Sequence, residues 1–136
     1  MQVSVHLTFN GNCREAMELY CKLMNGEILA MTTFGETPAG QDVPEDWQGK
    51  VVHATMSLGD ITVATADIPP DRYQSSQGFN MFIEIENPDE ASQVFARLAE
   101  GGEVQMPIQE TFWAKRFGVV LDRFGIPWEV NCSQEQ

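Results

Sequence analysis

The chain repeats one pattern of predicted secondary structure, and this repeat constrains its fold more than any other feature. Each copy reads strand, helix, strand, strand, strand, and the predicted helices begin at Cys13 and Pro88, 75 positions apart. The predicted strands span residues 3–9, 27–34, 51–58 and 61–66 in the first copy, and 80–86, 103–106, 117–121 and 126–131 in the second. The pattern predicts an α+β protein built from two βαβββ modules.

Local signals mark the ends of these elements. The first strand alternates apolar and polar residues, with one face formed by Val3, Val5, Leu7 and Phe9. Asn12 is predicted as the N-cap of the first helix, with Glu15 as its capping-box partner. Asn87 and Pro88 are predicted to begin the second helix. Residues 110–118 read as a strand that leads to an Asp-x-x-Gly turn and a closing strand.

Each module has a single helix, which can cover only one face of its sheet. We therefore expect curved mixed sheets around a cleft, with the helices on the convex side. The concave side would carry His6, His53, Asn80 and Glu129, since this face is too polar to form a second core. Ligand sites favour such concave surfaces with a few convergent polar groups. We predict one domain over residues 1–136, with module one at about 1–67, a linker at about 68–78 and module two at about 79–133.

The charge of the chain limits the classes of partner that we expect, and its cysteine content indicates where the protein is located. Twenty acidic against 8 basic residues give a net charge of −12, which disfavours nucleic acid and anionic membranes and leaves a small molecule as the expected ligand. There is no membrane-length apolar run, and there is no signal-peptide pattern at the start. The three cysteines form no disulfide framework, so we expect a cytoplasmic protein. A helix dipole would lower the pKa of the Cys13 thiol, although a buried thiol is expected more often than a nucleophile there.

Several motifs together resemble one known family over essentially the whole chain. They are residues 9–16 (Phe-Asn-Gly-Asn-Cys-Arg-Glu-Ala) with Tyr20, His53-Ala54, Gly59-Asp60, and residues 110–113 (Glu-Thr-Phe-Trp) followed by Asp122-x-Phe124-Gly125-x-x-Trp128. They resemble the PhnB-like, glyoxalase-like branch of the vicinal oxygen chelate (glyoxalase/bleomycin resistance/dioxygenase) superfamily. The resemblance implies a glyoxalase-like fold and a homodimer. A methyltransferase label is found in this branch, but no glycine-rich loop for S-adenosylmethionine is present.

The resemblance also implies a divalent metal (zinc, nickel, iron or manganese), bound through the first and last strands of each module. His6 and Glu129 fit two of these positions. Asn80 is expected at a position where histidine is common, and the counterpart of Glu129 in module one falls near Ala64 or Thr62. A bound metal would act as a Lewis acid, with Glu129 as a ligand or base.

Glu129 and His53 are the candidate catalytic residues, and Asn80, Trp113 and Arg116 are the candidate substrate-binding residues. Structural alternatives stay open: a hydrogen-bonded histidine, a salt bridge to Glu129, and aromatic side chains used in a core or dimer contact. Two functions follow. One is a metal-dependent lyase, isomerase, transferase or dioxygenase, and the other is a metal-free protein that binds or sequesters a small molecule.

Overall fold

A computed structural model describes residues 1–134 and divides the chain into two compact units, Met1–Gln74 and Ser75–Gln136. The division falls inside the linker predicted at about 68–78. In the part of the chain that the structure describes, each unit contains one α-helix and one four-stranded mixed sheet. Within residues 1–134, none of the helices has the length and apolar character that crossing a membrane requires.

The first unit forms its sheet around two central strands. Its elements are β1 (His6–Phe9), α1 (Cys13–Leu23), β2 (Glu27–Thr33), β3 (Val51–Leu58) and β4 (Ile61–Asp67). The strand order is β1-β4-β3-β2, with β1 and β4 parallel and the other pairs antiparallel. The segment predicted as a loop after β2 holds three short 3-10 helices, Phe34–Glu36, Pro38–Asp42 and Glu45–Trp47.

The second unit repeats this topology. It contains β5 (Met81–Glu84), α2 (Pro88–Ala99), β6 (Glu103–Gln109), β7 (Ala114–Leu121) and β8 (Pro127–Ser133). The strand order β5-β8-β7-β6 matches that of the first unit strand for strand. The predicted pair of βαβββ modules is therefore confirmed.

Several predicted strand ends were wrong, three of them by three residues or more. The first strand begins at His6 instead of residue 3, since β1 is an edge strand and Val3 lies before it with 86% exposure. The strand after α2 continues to Gln109. The strand predicted from residue 110 begins only at Ala114, because Thr111 closes a turn: the Thr111 N–H donates to the Ala114 carbonyl (2.9 Å) and the Ala114 N–H donates to Thr111 Oγ1 (3.1 Å).

Each helix packs its apolar stripe on one sheet face, as the sequence predicts. In the first unit Phe9 and Tyr20 are fully buried, with ring centroids 6.4 Å apart. In the second unit Phe95 of α2 lies over Gly118 of β7, where an added Cβ would come within 2.6 Å of the phenylalanine ring. The opposite face of each sheet is left free of its unit's helix.

The start of α1 is capped by a residue that is distant in the sequence. Asn12 stands at the predicted N-cap position, but its side chain makes no capping hydrogen bond. Instead the Cys13 N–H donates to Asp67 Oδ1 (2.9 Å), and the Val51 N–H donates to Asp67 Oδ2 (2.9 Å). The Asp67 carboxylate, only 2% exposed, thus joins the start of α1, the start of β3 and the end of β4. The predicted Asn87 cap of α2 is confirmed by bonds from the N–H groups of Asp89 and Glu90.

The closing hairpin depends on a second buried carboxylate. Asp122 Oδ1 accepts the N–H groups of Phe124 (2.9 Å) and Ile126 (3.0 Å), and Oδ2 accepts Nε1–H of Trp128 (2.8 Å). Gly125 takes the positive φ of 89° that the turn requires. The predicted Asp-x-x-Gly turn is confirmed, and Trp128 on the next strand is fixed by the same carboxylate.

We expect Asp67→Asn to destabilise the protein by about 1–3 kcal/mol. Asparagine retains one acceptor, but its NH2 group would face a backbone N–H that also donates. Urea unfolding followed by circular dichroism measures the loss. Asp60→Asn, at an exposed hairpin turn, is the matched control, and an equal midpoint for the two variants would contradict the capping role.

Candidate functional site

Two of the predicted site residues lie together on the open face of the first sheet. His6 of β1 and His53 of β3 are both exposed, and their ring centroids lie 6.4 Å apart in an edge-to-face arrangement. Ala64 of β4 is the register partner of both His6 and Thr55. Its methyl group is small, so the strand between the two histidines adds little bulk, and a ligand can contact both rings.

The electrostatics of this pair favour a neutral His6. Although the residue is exposed overall, partial burial of its ring lowers the His6 pKa below the usual 6.5, and the charge of His53 lowers this pKa further. At neutral pH the His6 imidazole is therefore uncharged. A neutral imidazole can accept a hydrogen bond, take up a proton or ligate a metal.

Glu129 occupies the open face of the second sheet. It lies mid-strand in β8, half-buried, with Phe82 of β5 and Val119 of β7 as its register partners. Two arginines of the closing hairpin make other contacts: Arg116 donates to the Lys115 carbonyl (2.7 Å), and the Arg123 guanidinium lies 4.4 Å above the Phe124 ring. The carboxylate thus lies between apolar neighbours on a face that a ligand can reach.

Asn131 is a polar residue of the same face that the sequence analysis missed. It is 8% exposed, and its Nδ2 donates to Glu84 Oε1 (2.8 Å) and Ser133 Oγ (3.2 Å). Because a carboxylate only accepts, these bonds fix the orientation of the amide. Within residues 1–134, Asn131 Oδ1 then has no hydrogen-bond donor. Such unsatisfied buried acceptors are rare, and an ordered water is an ordinary partner for them.

Strand register corrects the predicted role of Asn80 as the counterpart of His6. Asn80 lies before β5 and is exposed. Phe82 pairs with Glu129 as His6 pairs with Ala64, so Phe82 holds the position equivalent to His6, and Ala64 the position equivalent to Glu129. Phe82 lies six positions before the start of α2, whereas His6 lies seven positions before the start of α1.

Trp113 and Arg116 differ in whether strand register connects them with the sheet face that carries Glu129. Trp113, 47% exposed, packs edge-to-face on Phe112 (4.7 Å) and Phe117 (5.5 Å). Phe117 is the register partner of Asn131, so this aromatic cluster extends to the Glu129 face. Arg116 pairs with Cys132. Side chains alternate between the two faces along β8, so Cys132 and Arg116 do not share the face of Glu129 and Asn131. The register therefore connects Trp113, but not Arg116, with this face.

The donor set does not fit the metal site that the resemblance implies. Of the four equivalent positions, His6 and Glu129 carry donors, whereas Ala64 and Phe82 cannot ligate a metal. Across residues 1–134, no three His, Cys, Asp or Glu side chains are grouped so as to hold an ion. Protein metal sites usually use three or more such ligands.

Cys13 does not behave as a nucleophile. Burial raises the pKa of its thiol to about 12, which is the opposite of the predicted lowering by the helix dipole. The thiol is fully buried and its Sγ lies 3.7 Å from Met17 Sδ. Cys13 is a core residue.

Comparisons with known proteins agree with this architecture. Residues 1–131 match the profile of the family described as 3-demethylubiquinone-9 3-methyltransferase. Protein YjdN of Escherichia coli K12 is 33% identical over 144 aligned residues, which cover 100% of this chain and 98% of YjdN.

Several solved structures are similar to this chain in fold. Protein PA1353 from Pseudomonas aeruginosa is 40% identical, with a TM-score of 0.87 and 99% of each chain covered. The PhnB protein from Bacillus cereus is 24% identical, with a TM-score of 0.85, 98% of this chain covered and 100% of that one. At the level of fold alone, FosX from Listeria monocytogenes, solved with Mn(II), is 12% identical, with a TM-score of 0.64 and coverage of 98% and 92%.

We expect the His6 imidazole to titrate with a midpoint below 6.5 in 1H–13C NMR spectra. The His53→Gln variant should raise this midpoint while leaving it below 6.5, because burial is the larger cause of the shift. Since the unfolded chain then binds the proton more tightly than the folded one, His6 lowers folding stability as pH falls through 6.5. A His6 midpoint at or above 6.5 would contradict this environment.

Proposed function

Because this chain belongs to the family described as 3-demethylubiquinone-9 3-methyltransferase, a PhnB-like branch of the glyoxalase/bleomycin resistance/dioxygenase superfamily, we propose that it binds a small polar metabolite on the open faces of its sheets. The His6–His53 pair is the observation that carries this proposal. Two exposed imidazoles over a small alanine form a polar contact surface, and an exposed imidazole pair adds nothing to a core.

The second sheet indicates what such a ligand carries. Glu129 is an acceptor on this face, and its register partners Phe82 and Val119 flank it with apolar surface. A ligand with hydroxyl or amino donors beside a small apolar part matches these groups. The net charge of −12 supports a small molecule over nucleic acid or an anionic membrane as the partner, and free cysteines suit a cytoplasmic location.

A catalytic function is the second candidate. A half-buried carboxylate such as Glu129 can act as a general base on the second sheet, and the neutral imidazole of His6 can take up a proton on the first. The superfamily includes a protein solved with Mn(II), but Ala64 and Phe82 remove two of the four ligand positions in this chain. The donor set therefore favours metal-free binding over metal-dependent lyase, isomerase, transferase or dioxygenase chemistry.

Native mass spectrometry tests the binding function. Protein incubated with a bacterial extract of molecules below about 1 kDa should gain a discrete mass that disappears on denaturation. His6→Ala should reduce the bound fraction of a ligand on the first sheet up to about tenfold, the loss expected for one hydrogen bond to a neutral imidazole, and Glu129→Gln should reduce that of a ligand on the second sheet at least about tenfold. Glu103→Gln, on an exposed edge strand, is the control and should retain the adduct.

Two outcomes would count against the proposal. An unchanged native mass after exposure to such extracts, with the protein folded, would remove the binding function. Calorimetric uptake of one Zn²⁺, Ni²⁺, Fe²⁺ or Mn²⁺ per chain, abolished by both His6→Ala and Glu129→Gln, would replace the metal-free function with the metal-dependent one.

We also propose that the protein is a homodimer, supported by the exposed aromatic cluster of the second unit. Phe112 is 93% exposed beside Trp113, an unusual place for two large apolar rings unless a second surface covers them. Sedimentation velocity should give twice the chain mass, and Phe112→Ser should shift the protein to monomer. Ile61→Ser, at an exposed hairpin of the first unit, should remain dimeric. A wild-type monomer at all concentrations would contradict the dimer.

A further inference from the structure

A cavity of about 750 Å³ lies within the first unit and contains neither histidine of the open sheet face. Its walls come from the excursion between β2 and β3 and from residues 69–72 after β4. Its size lies in the range of ordinary small-molecule sites. The function proposed above does not use it.

The cavity wall is held in shape by backbone hydrogen bonds. The Phe34 N–H donates to the Lys50 carbonyl (2.9 Å), and the Gly35 N–H donates to the Gln48 carbonyl (2.9 Å). The Gln48 amide donates in turn to the carbonyls of Gly40 (2.8 Å) and Val43 (3.2 Å). The excursion is therefore a preformed scaffold, which lowers the entropic cost of binding a ligand.

The lining of the cavity is mainly apolar and rigid. Phe34 and Trp47 are buried and pack edge-to-face, with ring centroids 6.0 Å apart. Pro44, Pro69 and Pro70 complete this surface, and none of them has rotamer freedom to lose on binding. Such a wall suits a large apolar or aromatic group.

Trp47 also carries an unused donor. The side chain is 9% exposed and lines the cavity. Within residues 1–134 its hydrogen bonds are those of its backbone, to Pro44 and from Lys50, so the indole N–H has no partner. This N–H is open to solvent, since among residues 1–134 the buried side-chain atoms without a partner are those of Asn12 and Asn131. A ligand with an acceptor group would satisfy this donor.

Charges of both signs complete the lining. Arg72, Asp42 and Asp71 are exposed residues of the cavity wall. A guanidinium recognises a carboxylate, and a carboxylate recognises an ammonium group. A ligand that carries only one charge would leave one sign unmatched and would meet repulsion from a like charge.

We propose that this cavity binds a free α-amino acid with a large apolar side chain. The side chain would pack on Phe34, Trp47 and the prolines. The carboxylate would accept from Arg72 and from the Trp47 indole N–H, and the ammonium group would donate to Asp42 or Asp71. The site is separate from the open sheet faces and does not depend on the function proposed for them.

Isothermal titration calorimetry with three matched probes tests the ligand class. L-phenylalanine should bind, and 3-phenylpropionate, which lacks the ammonium group, should bind at least about tenfold more weakly. Phenethylamine, which lacks the carboxylate, should be weakened to a similar degree, because each loses one charge-assisted hydrogen bond. Absence of L-phenylalanine binding, or equal binding of either truncated probe, would overturn the proposal.

Variants of the cavity test its location. Arg72→Gln should weaken L-phenylalanine binding at least about tenfold, and Trp47→Phe should weaken it while retaining an aromatic wall. Ala39→Leu fills the cavity from a half-buried position and should abolish binding even if Trp47→Phe fails to fold. Arg97→Gln, on α2, and His6→Ala should leave binding unchanged. Binding that survives both Arg72→Gln and Ala39→Leu, or that is lost in His6→Ala, would overturn the cavity as the site.

Discussion

The carboxylate of Asp67 is the interaction on which the first unit depends most. Its two oxygens accept backbone N–H groups from the start of α1 and the start of β3, and the residue itself ends β4. The sheet order places β4 beside both β1 and β3, so this one side chain fixes the helix at the end of the sheet. With α1 held on one face, the opposite face remains available for His6 and His53.

The second unit reaches the same arrangement with different chemistry. Cys132 stands at the register position that Asp67 holds in the first unit, and its thiol contacts the Glu86 carbonyl at 3.3 Å. The helix is capped locally by Asn87, and the closing hairpin is organised by Asp122. The same topology is thus stabilised by a long-range cap in one unit and by a local cap with a turn carboxylate in the other. The repeat is conserved in architecture while its individual interactions differ.

Most of the fold could be predicted from the sequence, because alternation, helix periodicity and the Asp-x-x-Gly turn are local signals. The Asp67 cap could not, since its partner Cys13 lies 54 positions away and Asn12 offers a plausible local alternative. The pairing of His6 with His53 followed from the shared polar face. Asn80 and Phe82 lie two residues apart on the same face of the chain, so alternation alone could not separate them, and only the pairing of Phe82 with Glu129 identifies Phe82 as the counterpart of His6. Asn131 lies on the predicted face, but its unsatisfied oxygen depends on the bond to Glu84, which only the folded sheet reveals.

The fixed amide of Asn131 has a consequence for selectivity. An asparagine that is free to rotate can present either its oxygen or its nitrogen and so accept chemically opposite partners. Here the Glu84 carboxylate holds the nitrogen, and rotation would bring two oxygens together. The buried Oδ1 can therefore only accept a hydrogen bond, so a water or side chain with a hydrogen to donate can pair with it and a group that offers only lone pairs cannot.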